Sequence, residues 1–482
     1  MIGWQRGQIL WPADTWKDLL LMESTTIAAI ATPVGVGGIG IIRISGPQAC
    51  PIAQTLFRPS GHRQPSFFPV SHRFYHGHVV APDSGRFIDE VLLVMMQAPR
   101  SYTREDVVEI HAHAGPAAVR SILDLVLRQG AVLAGPGEFT RRAFLNGRID
   151  LTQAEAVIDV INAQADSALQ VAASQVQGAL KGHIESIREA IFGILAETEA
   201  AIDFPEDVGG EIDDDGILHR LTETGLAPLE ALVSQYEAGH VLRDGLKVIV
   251  AGRPNVGKSS LMNRLLERER AIVTPIPGTT RDFIEEPLAI RGIPILLTDT
   301  AGLHATEDPI ERIGIQRTVA RIEAADLVLF MTAADGPLTA ADEAIYDIVQ
   351  DRLVIWVENK NDLAAPEKEA PPPEHWRQMP KVSISVLCNR GLGKLKKMIE
   401  SVALAPSLAC ESALIPNIRH KHLIEDAAAA LKNAAEGIRR REPFELVNMD
   451  IRSAHELLGE VVGETFREDL LDQIFERFCI GK

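Results

Sequence analysis

Residues 252–259 read GRPNVGKS; they follow the apolar run KVIVA at 247–251 and open the helical pattern SSLMNRLL at 259–266. The stretch fits the pattern G-x-x-x-x-G-K-[S/T], with a strand before it and a helix after it. Glycines let backbone N–H groups surround phosphate oxygens, and a helix N-terminus favours their negative charge. We therefore predict that Lys258 reaches the outer phosphates of a nucleotide and that the Ser259 hydroxyl ligates Mg²⁺. A chance glycine-rich turn is the alternative, which the flanking strand and helix disfavour.

A second motif, DTAG at residues 299–302, ends the apolar run ILLT. A carboxylate at the C-terminal edge of a strand, beside a phosphate loop, can hold magnesium through water, so Asp299 is the candidate. Such a sequence alone is a common turn, but here it stands 41 positions after Lys258. That order and spacing favour a second element of a nucleotide site.

A third motif, NKND at residues 359–362, follows the apolar run LVIWVE. One carboxylate can accept both N1–H and the exocyclic amine of guanine, whereas adenine lacks that pair of donors and leaves the carboxylate unpaired. Asp362 is therefore predicted to select GTP over ATP, and Ser385, after the next strand, to help hold the base. A solvated turn is the alternative for this motif.

The segment PGTTRD at residues 277–282 lies between the phosphate loop and Asp299. A threonine there can complete the magnesium shell and sense the γ-phosphate, and Thr280 is the candidate. Ras-like proteins orient the attacking water with a glutamine directly after the DxxG turn, but this chain has Leu303 at that position. Hydrolysis must therefore recruit another polar group, from this chain or from a second one.

A chain of 482 residues is too long for one ordinary core, so two to four domains are expected. With 46% hydrophobic and 24% charged residues, its composition is typical of globular protein. The longest apolar runs are the length of a strand, so we expect no membrane partner. A cytoplasmic location is expected from the cysteines, whose pattern suits reduced thiols. The four cysteines are scattered without a CxxC pair, which argues against a disulfide framework or a zinc cluster. Because the net charge is −18, a nucleic acid must meet a local basic patch.

The spacing of apolar residues predicts a multidomain fold. Short apolar runs and a helical pattern up to residue 148 indicate an α+β N-terminal domain, and helical periodicity from residue 151 indicates an all-α domain. From residue 247 strands, loops and helices alternate, which is typical of an α/β domain with a mostly parallel sheet. Helical periodicity returns after about residue 405. We therefore predict a P-loop GTPase domain inserted into the helical domain.

Two further segments are far more particular than the nucleotide motifs. They are GEFTRRAFLNGRIDLTQAEAV at residues 137–157 and the final CIGK at 479–482. Together with GRPNVGKSSL, AIVTPIPGTTRD, DTAGL and ERIGI, they make residues 25 to 482 resemble the tRNA-modifying GTPase family MnmE, also called TrmE.

The resemblance implies a homodimer with binding sites for GTP, Mg²⁺, K⁺ and 5-formyltetrahydrofolate or a related folate. It implies tRNA and an MnmG-type flavoprotein as partners, with FAD in that partner only. Family members add an aminomethyl or carboxymethylaminomethyl group to C5 of the wobble uridine, and their K⁺-stimulated GTP hydrolysis is activated when G domains dimerise. The expected segments are a disordered extension at 1–24 (with Met1 or Met22 as the start), a folate-binding dimerisation domain at 25–148, a helical domain at 149–243 and 405–482, and a G domain at 244–404.

The resemblance also implies roles for individual residues. Glu311 in ERIGI matches the glutamate that orients the attacking water, with Lys258 as the second catalytic residue. The Mg²⁺ ligands are Ser259 and Thr280. The K⁺ ligands are Asn255, Thr274, Ile276 and Thr279. The expected GTP contacts are Asn255, Val256, Gly257, Lys258, Ser259, Ser260, Thr274, Pro275, Ile276, Pro277, Gly278, Thr279, Thr280, Asp299, Thr300, Ala301, Gly302, Asn359, Lys360, Asp362 and Ser385.

The expected folate contacts are Arg43, Glu109, Arg148 and Lys482, and Cys479 is a candidate for the modification chemistry. The chain departs from the usual family pattern at Pro275, where an aspartate is common, and at Arg148, where a lysine is common and where the donor geometry changes.

Several alternatives stay open at this stage. The chain could be a regulatory GTPase switch in ribosome assembly, although such a switch does not need the segments at 137–157 and 479–482. His111 and His113 alternate on one strand and are either catalytic or surface residues. The basic stretches at 420–422 and 439–443 either contact tRNA or are solvated faces of helices.

Overall fold

The computed structural model describes residues 25–33, 35–60, 69–163, 165–203, 213–269, 285–291, 293–299, 322, 325–363, 372–404, 414–466 and 468–482. The expected extension at 1–24 lies outside these residues. The chain forms two compact units. The first comprises residues 1–158, 176–227 and 423–482, and the second comprises residues 159–175 and 228–422.

The first unit contains a seven-stranded sheet. Its strands are β1 Ile27–Ile30, β2 Ile39–Ser45, β3 Phe57–Pro59, β4 Phe74–Val80, β5 Phe87–Met96, β6 Val107–His113 and β7 Val132–Leu133. Their order across the sheet is β3-β4-β5-β6-β2-β1-β7, and every pair is antiparallel except β1 with β7. Helices α1 Ala49–Leu56 and α2 Pro116–Arg128 contribute to the core on one face of this sheet.

The alternation of side chains along a strand decides which residues of this sheet are buried. In β2, Ile42 and Ile44 are fully buried in the core, whereas Arg43 between them points to the opposite face. In β6, Ile110 is likewise buried and its neighbour Glu109 points away from the core. Arg43 is paired with Glu109 in the register of the two strands, so their side chains lie side by side on the second face.

Helices occupy most of the remaining chain. They are α3 Glu138–Leu145, α4 Leu151–Asn162, α5 Asp166–Val176, α6 Ala179–Asp203 and α7 Asp214–Arg220, followed by a π-helical turn at Leu221–Leu226 and by α8 Ala227–Asp244. Within the first unit, α12 Ile418–Arg439, α13 Phe444–Val462 and α14 Glu468–Phe475 complete the helical part, with residues 418–422 of α12 in the second unit. Helix α6 packs along α13, where Thr198 Oγ1 donates a hydrogen bond to Asn448 Oδ1 over 2.7 Å.

The second unit contains a six-stranded sheet of order β13-β12-β11-β8-β10-β9. Its strands are β8 Leu246–Ala251, β9 Glu285–Ile290, β10 Ile293–Asp299, β11 Leu327–Ala333, β12 Val354–Asn359 and β13 Lys381–Ser383. All pairs are parallel except the hairpin of β9 with β10. Helices α9 Lys258–Glu269, α10 Ala340–Val349 and α11 Leu392–Leu404 follow β8, β11 and β13. Separate apolar clusters cover the two faces, as a doubly wound sheet requires.

The predicted fold class is confirmed: an α+β N-terminal domain, a helical domain and a mostly parallel α/β domain are all present. Within the described ranges, no helix is both long and apolar enough to cross a membrane.

Candidate functional site

The phosphate loop joins the end of β8 to the start of α9. Strand β8 ends at Ala251, and α9 begins at Lys258. The Nζ atom of Lys258 donates hydrogen bonds to the carbonyl oxygens of Gly252, over 2.7 Å, and of Arg253, over 3.0 Å. Ser259 and Ser260 are exposed in the first turn of α9. The loop therefore curls around the ammonium group, with the helix N-terminus beside it, which is the arrangement that binds a phosphate chain.

Two glycines make this loop possible. Gly257 has a φ of +101°, and a Cβ atom there would stand 2.3 Å from Asn359 Nδ2. At Gly252 a Cβ atom would stand 2.4 Å from the carbonyl oxygen of Met331 on β11. Because neither position has room for a side chain, the loop lies close against the ends of β11 and β12.

Asn359 links the phosphate loop to the loop predicted to hold the base. Its side chain, 3% exposed, donates from Nδ2 to the carbonyl oxygen of Val256 over 2.8 Å. Its Oδ1 atom accepts from the backbone N–H of Val386 over 3.2 Å. The sequence placed Asn359 among the nucleotide contacts, whereas the described contacts show it joining the two loops.

Asp362 and Ser385 lie at the carboxyl end of the sheet. A hydrogen bond with Ser385 lowers the pKa of Asp362, and the nearby charge of Arg390 lowers it further. Asp362 is exposed and stays ionised at neutral pH, as an acceptor for two guanine N–H groups must. Lys360, with a φ of +61°, pairs with Asp335 over 2.6 Å.

The other expected GTP and metal contacts are placed only in part. Asp299 ends β10 opposite Val250 of β8, so its backbone lies at the same sheet edge as the phosphate loop. Asn255 is exposed, with a φ of +62°, at the tip of that loop. The expected residues outside the described ranges are Thr274, Pro275, Ile276, Pro277, Gly278, Thr279, Thr280, Thr300, Ala301, Gly302 and Glu311.

A second candidate site lies in the first unit. A cleft of about 620 Å³ is lined by Arg43, Glu109, Arg148 and Lys482, the four residues expected to bind folate. They come from β2, β6, the segment after α3 and the end of the sequence. The cleft is also lined by His72, Met96, Pro99, Arg100, Ser101, Tyr102, Arg104 and Val107. In a chain of net charge −18, this concentration of cations favours an anionic ligand.

Glu109 is the single acidic residue among those lining this cleft. Its Oε1 atom accepts from Arg43 Nε over 2.9 Å, and its Oε2 atom lies 3.2 Å from His111 Nε2. The hydrogen bond with His111 lowers the pKa of Glu109; burial opposes this, and Arg43 reinforces it. Glu109 therefore presents an ionised carboxylate to the cleft at neutral pH.

Tyr102 also lines this cleft, although no sequence motif predicts it. The guanidinium carbon of Arg148 stands 4.7 Å from the centre of its ring, and that of Arg43 stands 5.8 Å away. Arg148 also donates to the Tyr102 carbonyl oxygen over 2.8 Å. The one available signal was an aromatic residue between Arg100 and Arg104 in a polar connection between two strands.

Lys482, the last residue of the sequence, is among the residues that line the cleft. Arg43 donates to the carbonyl oxygen of Gly481 over 3.2 Å, and the N–H of Phe139 in α3 donates to the main-chain oxygen of Lys482 over 3.2 Å. Burial lowers the pKa of Lys482, and the charge of Arg43 lowers it further. Cys479 is half-buried, and its carbonyl oxygen accepts from the N–H of Gly137 over 3.4 Å. Cys479 itself is not among the lining residues.

In the same unit, Arg142 of α3 is 1% exposed and joins segments that are far apart in the sequence. Its NH1 atom donates to Glu105 Oε1 over 3.1 Å and to the carbonyl oxygen of Thr25 over 2.9 Å. Its NH2 atom donates to Glu138 Oε1 over 3.0 Å. The sequence does not predict this role, because in the pattern EFTRRAFL Arg142 is one of two adjacent arginines typical of an ordinary helix surface.

Comparison with known proteins decides the family. The profile described as "GTP-binding protein TrmE N-terminus" matches residues 26–148, and the one described as "MnmE helical domain" matches residues 151–479. The chain belongs to the MnmE family. It is 46% identical over 463 residues to a "tRNA modification GTPase MnmE" of Geobacillus thermodenitrificans, covering 96% of this chain and 100% of that relative. A relative of the same description from Chloroflexus aurantiacus is 47% identical over 468 residues, covering 95% of this chain and 99% of the relative.

Membership in the MnmE family confirms the resemblance found in the sequence and makes the phosphate loop that of a P-loop GTPase. The structure also shows the surroundings of three histidines whose roles the sequence left open. His113 is a surface residue that pairs with Asp89 over 2.8 Å, whereas His111 contacts Glu109 beside the cleft. His420 is fully buried and exchanges hydrogen bonds with Asn417 at the start of α12, so it is not part of a solvated basic face.

Proposed function

We propose that this MnmE-family chain hydrolyses GTP as part of tRNA modification. In this proposal it acts as a homodimer with an MnmG-type flavoprotein and adds an aminomethyl or carboxymethylaminomethyl group, derived from a folate one-carbon unit, to C5 of the wobble uridine of certain tRNAs. The observation that carries the proposal is the basic cleft around Tyr102, in a chain that also has a complete phosphate loop. A GTPase switch of ribosome assembly has no need for such a cleft.

The chemistry of the cleft supports a folate as its ligand. The pterin ring of a folate is flat and has adjacent N–H donors, which a carboxylate such as Glu109 can accept. The glutamate tail of a folate is anionic and suits cationic side chains such as Arg43, Arg148 and Lys482. Tyr102 adds an aromatic face beside these groups. A cationic cleft with one ionised carboxylate therefore matches both ends of the molecule.

We predict that the full-length protein binds 5-formyltetrahydrofolate and that Glu109→Gln weakens this binding about 10- to 100-fold. This range corresponds to the free energy that hydrogen bonds to a charged group usually contribute. Isothermal titration calorimetry measures the dissociation constants. Glu90→Gln is the matched control, because Glu90 lies on β5, the strand next to β6, and pairs there with exposed His76 of β4. The folate assignment fails if the wild type shows no binding, or if both variants bind as tightly as the wild type.

For the nucleotide site we predict that Asp362→Asn loses its preference for guanine. The amide replaces one acceptor oxygen by a donor that faces the N–H groups of guanine, so GTP affinity should fall at least about tenfold. Xanthosine triphosphate presents a carbonyl group at that place and should bind the variant better than GTP does. Fluorescence competition measures both affinities, with Asp347→Asn on the exposed face of α10 as the control. Unchanged GTP affinity in Asp362→Asn would show that Asp362 does not read the base.

The proposal includes two cations at this site. Ser259 and Thr280 are assigned to Mg²⁺, and Asn255, Thr274, Ile276 and Thr279 to K⁺. Of these K⁺ residues, Asn255 is the one that lies among the described residues, where it is exposed in the phosphate loop. A monovalent cation beside the β- and γ-phosphates would stabilise developing charge as an arginine finger does.

A further inference from the structure

An arginine of the phosphate loop contacts a helix of the same unit. Arg253 follows the first glycine of the loop, and its Nε atom lies 3.3 Å from Oδ1 of Asp342. Asp342 belongs to the first turn of helix α10, which follows strand β11. The side chain of Asp342 is 0% exposed, whereas that of Arg253 is 27% exposed.

A fully buried carboxylate needs partners for its charge, since burial without them is strongly unfavourable. Its Oδ2 atom accepts hydrogen bonds from the backbone N–H of Thr339 over 2.9 Å and from Thr339 Oγ1 over 2.8 Å. Its Oδ1 atom has no aligned hydrogen-bond donor among the described residues, so the guanidinium of Arg253 supplies the positive charge on that side. The helix cap uses only the Oδ2 atom of Asp342, so the contact of Oδ1 with Arg253 is additional to the cap.

The backbone of Arg253 has a second role in the loop. Its carbonyl oxygen accepts a hydrogen bond from Lys258 Nζ over 3.0 Å. A continuous chain of contacts thus runs from buried Asp342 through Arg253 to the lysine of the phosphate loop. Movement of Arg253 would change both the course of the loop and the position of that ammonium group.

We propose that Asp342 is a positioning residue of the GTPase site, which holds the phosphate loop in its binding conformation through Arg253. The inference rests on the proposed binding of GTP at this loop. Asp342 does not contact the nucleotide in this account. It restricts the backbone that does, so that binding does not have to order the loop first. The pair also engages the Arg253 guanidinium with Asp342, so that the positive charge available to the phosphates would come from Lys258.

The test measures dissociation of a fluorescent N-methylanthraniloyl GDP from the full-length protein by stopped flow. We expect Asp342→Asn and Arg253→Met each to speed dissociation about tenfold. The double variant should be no faster than the faster single variant, because the two residues act as one unit. Arg253→Lys should recover part of the effect, since it keeps the charge but not the planar group.

Thr339→Val is the matched control. It weakens the same helix cap and leaves the carboxylate and Arg253 in place, so amide protection in α10 should fall while dissociation stays within about twofold of the wild type. If Asp342→Asn does not fold, Arg253→Met decides the matter, because Arg253 is partly exposed.

The outcomes separate this inference from the proposed function. If the wild type binds the labelled GDP and both single variants release it at the wild-type rate, the positioning role is refuted and the nucleotide site stands. Additive effects in the double variant would also refute it. If the wild type does not bind the nucleotide, the proposed function fails and this inference fails with it.

Discussion

Replacing Arg142 by methionine should destabilise the first unit by about 3 kcal/mol, the range found when one partner of a buried ion pair is removed. Arg142 is almost fully buried, and its two NH groups serve Glu105 and Glu138 together with Thr25. Methionine fills much of the same volume but leaves two partly buried carboxylates without their shared cation. We expect the cleft to be lost as well, because Glu105 precedes β6 and Glu138 begins the helix that holds the final residues.

The measurement is amide hydrogen exchange followed by mass spectrometry, because a chain of several domains has no single unfolding free energy. Protection should fall at residues 39–45, 138–145 and 478–482, and stay unchanged at residues 327–333 in the second unit. Arg141→Met is the matched control: Arg141 is the adjacent arginine and pairs with exposed Asp472 over 3.2 Å. Such a surface pair contributes at most about 1 kcal/mol. Equal loss of protection in the two variants would refute the role assigned to the Arg142 network.

Replacing Glu311 by alanine should slow GTP hydrolysis at least about 100-fold, the lower range for loss of a residue that assists proton transfer. Glu311 lies outside the described residues, and the prediction follows from ERIGI and from Leu303, which cannot orient water. We expect Glu311 to approach the nucleotide only when two G domains pair, so GTP affinity should stay nearly intact. That combination indicates an interaction made mainly in the transition state.

Single-turnover hydrolysis with saturating GTP in K⁺ measures this effect. Glu307→Ala, a few residues earlier in the sequence, is the control and should leave the rate unchanged. The wild type in Na⁺ should also be slow, because the smaller ion does not replace K⁺ in the proposed site. A rate for Glu311→Ala within about twofold of the wild type, which is under 0.5 kcal/mol, would remove Glu311 from the mechanism. Equal wild-type rates in K⁺ and Na⁺ would refute the K⁺ requirement. Pro275, which stands where the family usually has aspartate, would then be the candidate cause.

The sequence predicted those features that depend on local patterns. The phosphate loop was recognisable because a strand, two glycines, a lysine and a helix start follow one another within a short stretch. The parallel sheet was recognisable from apolar runs separated by helical patterns. The four expected folate residues lie around one cleft, but motifs of a family led to them, since positions 43, 109, 148 and 482 share no local pattern.

Contacts between distant segments were not predictable in this way. In the sequence, Arg142 looks like an exposed charge on a helix. In the structure it is buried and forms ion pairs with both Glu105 and Glu138. Asp342 reads as an ordinary residue of a capping box, and its contact with Arg253 depends on how β8 and β11 lie in the sheet. Tyr102 is placed by the fold of the segment between β5 and β6. Each of these residues acquires its partner through tertiary structure, for which a single sequence carries no local signal.

Mass spectrometry of tRNA nucleosides tests most directly whether this GTPase acts in modification of the wobble uridine, as proposed above. The tRNA would come from a strain that lacks the gene and from the same strain carrying either the wild-type gene or Lys258→Ala, which removes the ammonium group of the phosphate loop. We expect an aminomethyl-type group at C5 of uridine with the wild-type gene, and its loss both in the deletion strain and with Lys258→Ala. An identical set of wobble nucleosides with and without the gene would contradict the claim.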